Sequence, residues 1–133
     1  ISNKNIDAVL GSRFIKNSYV KDYPLFKFIL NRLFNTFIRF LFFSEYNDFT
    51  NAFKIYKRKT LLKLLPIVSE NFNVFLELPL KIIIRKYRYK IIPISWKNRK
   101  KGKSKFKIHE LSSMYLFTML YCLSEKILLN KKK

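Results

Sequence analysis

Three short stretches carry residue types that could handle a phosphate group. Gly11-Ser12-Arg13 follows the apolar run Ile6 to Leu10. Its guanidinium can fork onto two phosphate oxygens, and the glycine lets backbone approach a ligand. Asp48, Thr50 and Asn51 form a polar corner ahead of Ala52-Phe53-Lys54-Ile55-Tyr56, a run that favours extended backbone half-buried against a sheet. Arg99, Gly102, Ser104 and Lys105 lie in a cationic loop, residues 97–105, that follows Trp96 and has no apolar residue. A fork from Arg99, point charges from the lysines and flexibility at Gly102 are the parts of a phosphate clamp. Each stretch also has a plainer explanation: an arginine after a turn, a loop entering a strand, a solvated basic loop. Chemistries that need clustered His or Cys are poorly served. His109 and Cys122 are each the sole residue of their type, so no metal ligands are expected here and an internal disulfide framework is excluded. Cys122, in an apolar run, reads as packing and fits a reducing compartment.

These residues need elements to hold them. Ile6 to Leu10 reads as a buried strand delivering Gly11 to Arg13 to a sheet edge. The polar stretch Phe14 to Pro24 is expected to be a mobile flap. From Leu25 to Phe43 a helix is expected, with Lys27, Asn31, Asn35 and Arg39 at four-residue spacing in one polar stripe, widened by Arg32 and Thr36. Its apolar face is broader than a globular core needs, so it is expected to pack on the sheet and also meet lipid, without spanning the bilayer. Lys59 to Leu65 reads as a short helix stopped by Pro66, and Ser69 to Asn73 as a loop. A further helix is expected to begin around Glu77, because Pro79 is tolerated near a first turn; Glu77, Lys81 and Arg85 then align at i, i+4. Tyr89 to Ser95 reads as a strand ending at Trp96. Phe106 to Leu129 suits a final helix, whose uncharged part, Leu111 to Ser124, is shorter than the roughly 20 residues a crossing requires. It reads as interfacial, with the basic tail Lys131-Lys132-Lys133 at the headgroups.

The chain has 133 residues, enough for one domain, and a formal charge of +20 with 49% hydrophobic and 17% aromatic residues. A disordered basic tail is excluded by so many apolar side chains. The combination suits an anionic membrane surface, a phosphate-rich ligand or a nucleic acid. Part of the lysine excess is equally explained by genome composition. No signal peptide is visible, and a start at Ile1 suggests a fragment or processed product.

Taken in order, Ile6-Asp7-Ala8-Val9-Leu10-Gly11-Ser12-Arg13, Asp48-x-Thr50-Asn51-Ala52-Phe53-Lys54-x-Tyr56-Lys57-Arg58 and Arg99-x-x-Gly102-x-Ser104-Lys105, with Glu77 and Pro93-Ile94 between them, form an ordered set. It resembles the dolichol-phosphate mannose synthase group of family 2 glycosyltransferases over nearly the whole chain. The match is to the second half of that family's catalytic domain. The resemblance implies an α/β fold, the C-terminal half of a GT-A (Rossmann-like) domain, with mixed sheet strands and amphipathic helices. Residues 1–105 would be the acceptor side and phosphate-clamp loop, and 106–133 a membrane-associated helix and basic tail.

The activity implied is transfer of a hexose, mannose first among them, from a nucleotide-diphosphate sugar to a polyprenyl or dolichyl phosphate, with inversion. Asp48 and Arg99 would be catalytic, and Arg13, Thr50, Asn51, Glu77, Ser104 and Lys105 would bind substrate. An acceptor phosphate is already anionic at neutral pH, so the lack of a catalytic histidine is no objection. A divalent cation, Mg or Mn, is expected in the intact enzyme. Its ligands would lie in the missing N-terminal half, since no Asp-x-Asp occurs in this chain. A peripheral position on the cytoplasmic face of the membrane is implied, and the chain is expected to be incomplete and inactive alone. The competing reading is a basic nucleic-acid-binding or membrane-surface interaction module without catalysis. Helices with broad apolar faces argue against a nucleic-acid partner, and none is expected.

Overall fold

The computed structural model describes residues 5–98 and 108–131. At its centre β1 (Ala8–Ser12) pairs antiparallel with β3 (Lys54–Tyr56) and parallel with β4 (Tyr89–Pro93), giving the order β3-β1-β4. A strand paired on both sides and covered on both faces has no place for charge, which is why Ala8-Val9-Leu10 is continuously apolar. Ala8 and Leu10 are fully buried. Gly11 is required by a close approach: a Cβ there would lie 2.8 Å from the Phe53 carbonyl oxygen and 3.0 Å from Ile94 Cγ2. The same carbonyl accepts the Gly11 N–H at 2.9 Å, so the crowding is part of the strand pairing.

The stretch expected to be a mobile flap holds a strand. β2 (Tyr19–Lys21) pairs in parallel with β5 (Ser95–Lys97), matching Val20 to Trp96. The single strand read over 89–95 is divided in two, with β4 leaving the main sheet at Ile94 and β5 joining β2. Each half of that second sheet is only three residues long and finds its partner far along the chain, so no local pattern announces it. Tyr23 packs on Trp96 with ring centroids 4.8 Å apart, and this holds the segment down.

Among the described residues four helices accompany the sheets: α1 (Leu25–Phe42), α2 (Arg58–Lys63), α3 (Val74–Ile84) and α4 (Ile108–Lys131). Proline lies inside α3, and the helix starts earlier than the expected onset at Glu77. The physical reason lies in the site described below, where another side chain replaces the donor that Pro79 lacks. In α4, which packs on α3, Tyr115, Met119 and Cys122 join the core formed by Ala8, Leu10, Ile38, Phe42, Leu76 and Leu80.

The orientation of α1 is the fold's main surprise. Asn35, Ile38 and Phe42 are buried against the domain, with Asn31 and Arg32 half-buried beside them. Leu25, Phe26, Ile29, Leu33, Phe37 and Phe40 point outward, Phe26 and Phe40 being 68% and 74% exposed. Part of the polar stripe therefore faces inward, while the broad apolar face is open. Among the described residues no helix is long and apolar enough to cross a membrane.

Candidate functional site

The C-terminal end of β1 meets the segment from Ser44 to Phe53 in a dense polar corner. Arg13 forks onto Asp48: Nε donates to Oδ2 at 2.8 Å and Nη2 to Oδ1 at 2.7 Å. The Arg13 backbone N–H also donates to Oδ2, at 3.0 Å. Both side chains are buried. Burial alone would lower the guanidinium's pKa, but the hydrogen bonds and charge of Asp48 outweigh it and hold it raised. Arg13 and Asp48, named separately from the sequence, are thus brought together, each using the other as its main partner.

Asn51 closes the corner from within. Its Nδ2 donates to the Gly11 carbonyl at 2.7 Å and to the Asp48 carbonyl at 2.8 Å, while its Oδ1 accepts the Phe53 N–H at 2.8 Å. This is the local bonding that makes Asn a turn former. The Tyr46 hydroxyl lies against the same two carbonyls, and burial drives its pKa well above the ordinary phenol range. Thr50 is more accessible. Its Oγ1 accepts from Asn31 Nδ2 at 2.7 Å, and Asn35 Oδ1 accepts the Phe49 N–H at 2.6 Å. The inward amides of α1 therefore hold the corner, so the helix that opens an apolar face to the outside also forms one wall of the polar site.

Two cations at this corner were not singled out as site residues. Arg32 donates through Nη1 to the Asn47 carbonyl at 3.0 Å and lies 4.0 Å from the centre of the Phe14 ring. Among the described residues no carboxylate pairs with it, and burial lowers its pKa. Lys54 donates through Nζ to the carbonyls of Phe49 (2.7 Å), Phe75 (2.8 Å) and Asn51. Burial brings its pKa down to about 7, with Asp48 opposing that fall and Arg13 adding to it. The sequence signal for Lys54 was a charge inside an otherwise apolar strand run; for the α1 amides it was a pair of asparagines at i, i+4 in an apolar helix.

Glu77 lies elsewhere. It accepts the Val68 and Ser69 backbone N–H groups and pairs with Lys81 Nζ at 2.8 Å, fully buried. Burial would raise its pKa, but Lys81, Ser69 and Val68 hold the carboxyl below the ordinary range. Lys81 also donates to the Leu64 and Pro66 carbonyls. The pair thus fastens the α2–α3 connection to α3. Arg99, Ser104 and Lys105 lie outside the described residues. Among those described, no group of three His, Cys, Asp or Glu side chains is placed to hold a metal ion. With both Asp48 oxygens taken by Arg13, these residues do not fit a divalent cation site.

Over 101 residues, 74% of this chain, the sequence is 28% identical to a polyprenol monophosphomannose synthase from Mycolicibacterium smegmatis (strain ATCC 700084 / mc(2)155). No family model matches the chain, and no solved structure matches it. The chain has an α/β architecture with a mixed sheet, and its likeness to that synthase is distant. The matched region spans 38% of that relative's length.

Proposed function

We propose that this chain is the acceptor-side portion of an inverting glycosyltransferase that moves a hexose, mannose in the first instance, from a nucleotide-diphosphate sugar to a polyprenyl phosphate at a membrane surface. The observation that carries the reading is the similarity to polyprenol monophosphomannose synthase over three quarters of the chain. Geometry supports it. A polyprenyl phosphate presents an anion on a long apolar tail, and α1 offers an inward polar edge, Asn31 and Arg32, next to an outward apolar face, Phe26 to Phe40. Burying that face in the headgroup boundary removes apolar area from water and brings the cationic chain against anionic lipid.

In this reading the acceptor oxygen needs no side-chain base, since the phosphate monoester is anionic at neutral pH. The protein's task is electrostatic: it brings two anions together and stabilises charge on the diphosphate leaving group. Arg99 serves that charge, and Ser104 and Lys105 close the loop over the donor. Arg13 and Asp48 shape the corner that carries Thr50 and Asn51, where sugar and acceptor phosphate meet, and Arg32 adds a cation from the polar edge of α1. Glu77 acts through the α2–α3 connection. The divalent cation, if used, takes its ligands from beyond the described residues. The test is Arg99→Ala in the protein that carries this chain, assayed for transfer to polyprenyl phosphate. Transfer is expected to fall by about 100-fold or more; near-normal turnover refutes the assignment.

A further inference from the structure

Lys54 occupies a position that neither its strand nor a counter-charge explains. Its ammonium has three N–H bonds and three acceptors, the carbonyls of Phe49, Asn51 and Phe75. Among the described residues no carboxylate reaches it within ion-pair distance. Two of the acceptors flank Thr50 in the corner. The third belongs to the first turn of α3, and it is available for a specific reason. In an α-helix the Phe75 carbonyl would accept from the N–H of residue 79, but residue 79 is proline and has none. A buried carbonyl without a donor is costly, and Lys54 supplies the missing one. Lysine and proline thus form a matched pair: Pro79 frees an acceptor in α3, and Lys54 uses it to anchor the polar corner to the helix.

We infer that Lys54 is a positioning residue for the corner, fixing the backbone on either side of Thr50 by bridging it to the carbonyl that Pro79 leaves free. This rests on the acceptor-side reading above and deepens it, because Thr50 and Asn51 are where the acceptor phosphate is placed. A neutral amine keeps only two N–H bonds, so the bridge has three arms while the lysine is protonated and two once it is not. The titratable and charged groups facing Lys54 are Asp48 and Arg13, already paired, and Tyr46, whose ring lies 5.8 Å away and whose phenol stays protonated.

The test compares the wild-type protein that carries this chain with its Lys54→Met variant and with the double variant Lys54→Met, Pro79→Ala. The second change returns an intrahelical donor to Phe75, so the double variant stays folded where the single one is at risk. Amide hydrogen exchange is read at Phe49 and Phe53, whose N–H groups bond Asn35 and Asn51 inside the corner, and at the β1–β4 ladder. The expected result is roughly tenfold or greater loss of protection at Phe49 and Phe53 in the double variant, with the ladder unchanged. Hexose transfer to polyprenyl phosphate, measured on the same samples, is expected to fall at least about tenfold. Wild-type protection in the double variant overturns the bridge; lost protection with full turnover overturns the positioning role. If the wild type itself transfers no hexose, the proposed function fails while the exchange result still decides the bridge.

Discussion

Replacing Arg13 by Met isolates what the Arg13–Asp48 pair contributes. Met keeps much of the apolar stem that lies between the Phe14 and Tyr23 rings, with the guanidinium carbon now 5.3 Å and 5.8 Å from their centres. It removes the Nε and Nη2 contacts at 2.8 and 2.7 Å and leaves Asp48 with the backbone N–H at 3.0 Å. Stranding one buried charge typically costs about 3–5 kcal/mol, a large share of the roughly 5–15 kcal/mol that stabilises a domain. Adding Asp48→Asn neutralises the stranded charge and keeps an oxygen for the residue 13 N–H, so about 2 kcal/mol is expected to return. Urea unfolding followed by circular dichroism reads both. The single variant's midpoint is expected to fall by roughly 2 M, with partial recovery in the double variant. A single variant within about 1 kcal/mol of wild type, or a double variant worse than the single one, would refute the claim that this pair holds the corner.

Four further outcomes follow from the same geometry. Gly11→Ala is expected to cost about 1–3 kcal/mol in urea unfolding, because its Cβ meets backbone at 2.8 Å and not a side chain that could turn away. Burial pushes the Cys122 thiol up to about 12, so a thiol reagent at neutral pH should label the native chain only at the rate of its opening, and labelling should rise steeply at denaturing urea. The folded pKa of Lys54, about 7, lies below its ordinary 10.5, so the unfolded chain holds more protons across that window. This group therefore makes global stability rise with pH between those values, and a urea series on Lys54→Met should lose that rise. Replacing Phe26, Phe37 and Phe40 by Ser should weaken binding to anionic vesicles by about tenfold or more per residue if that face enters the bilayer boundary, as read by vesicle co-sedimentation.

The parts of this fold written in local pattern were legible in advance. The apolar run into Gly11-Ser12-Arg13 became β1, and the periodicity of 25–43 became α1 almost to the residue. Proline stopped α2 as expected. What local pattern misses is pairing at a distance. The β2–β5 sheet joins two three-residue segments more than seventy positions apart, so Tyr19-Val20-Lys21 looked like loop. Pro79 suggested a helix start because the rule concerns a missing donor, and the rule is silent on a lysine twenty-five positions earlier that supplies one. At the site, residue types identified the corner, and Arg13 and Asp48 were both named. Their mutual fork was not foreseen, and it turns two candidate ligands into partners of each other. Likewise the asparagines of α1 were read only as part of a polar stripe, whereas Asn35 is buried and bonds the backbone of Phe49.

The central claim is that a polyprenyl phosphate is glycosylated at this corner. Its most direct test is mass-spectrometric product analysis of the protein that carries this chain, supplied with polyprenyl phosphate and a panel of nucleotide-diphosphate hexoses. The account predicts a glycosyl polyprenyl phosphate with inverted anomeric configuration, formed from one preferred donor and lost in the Arg99→Ala variant. A folded, membrane-bound protein that yields no glycolipid from any donor would contradict it.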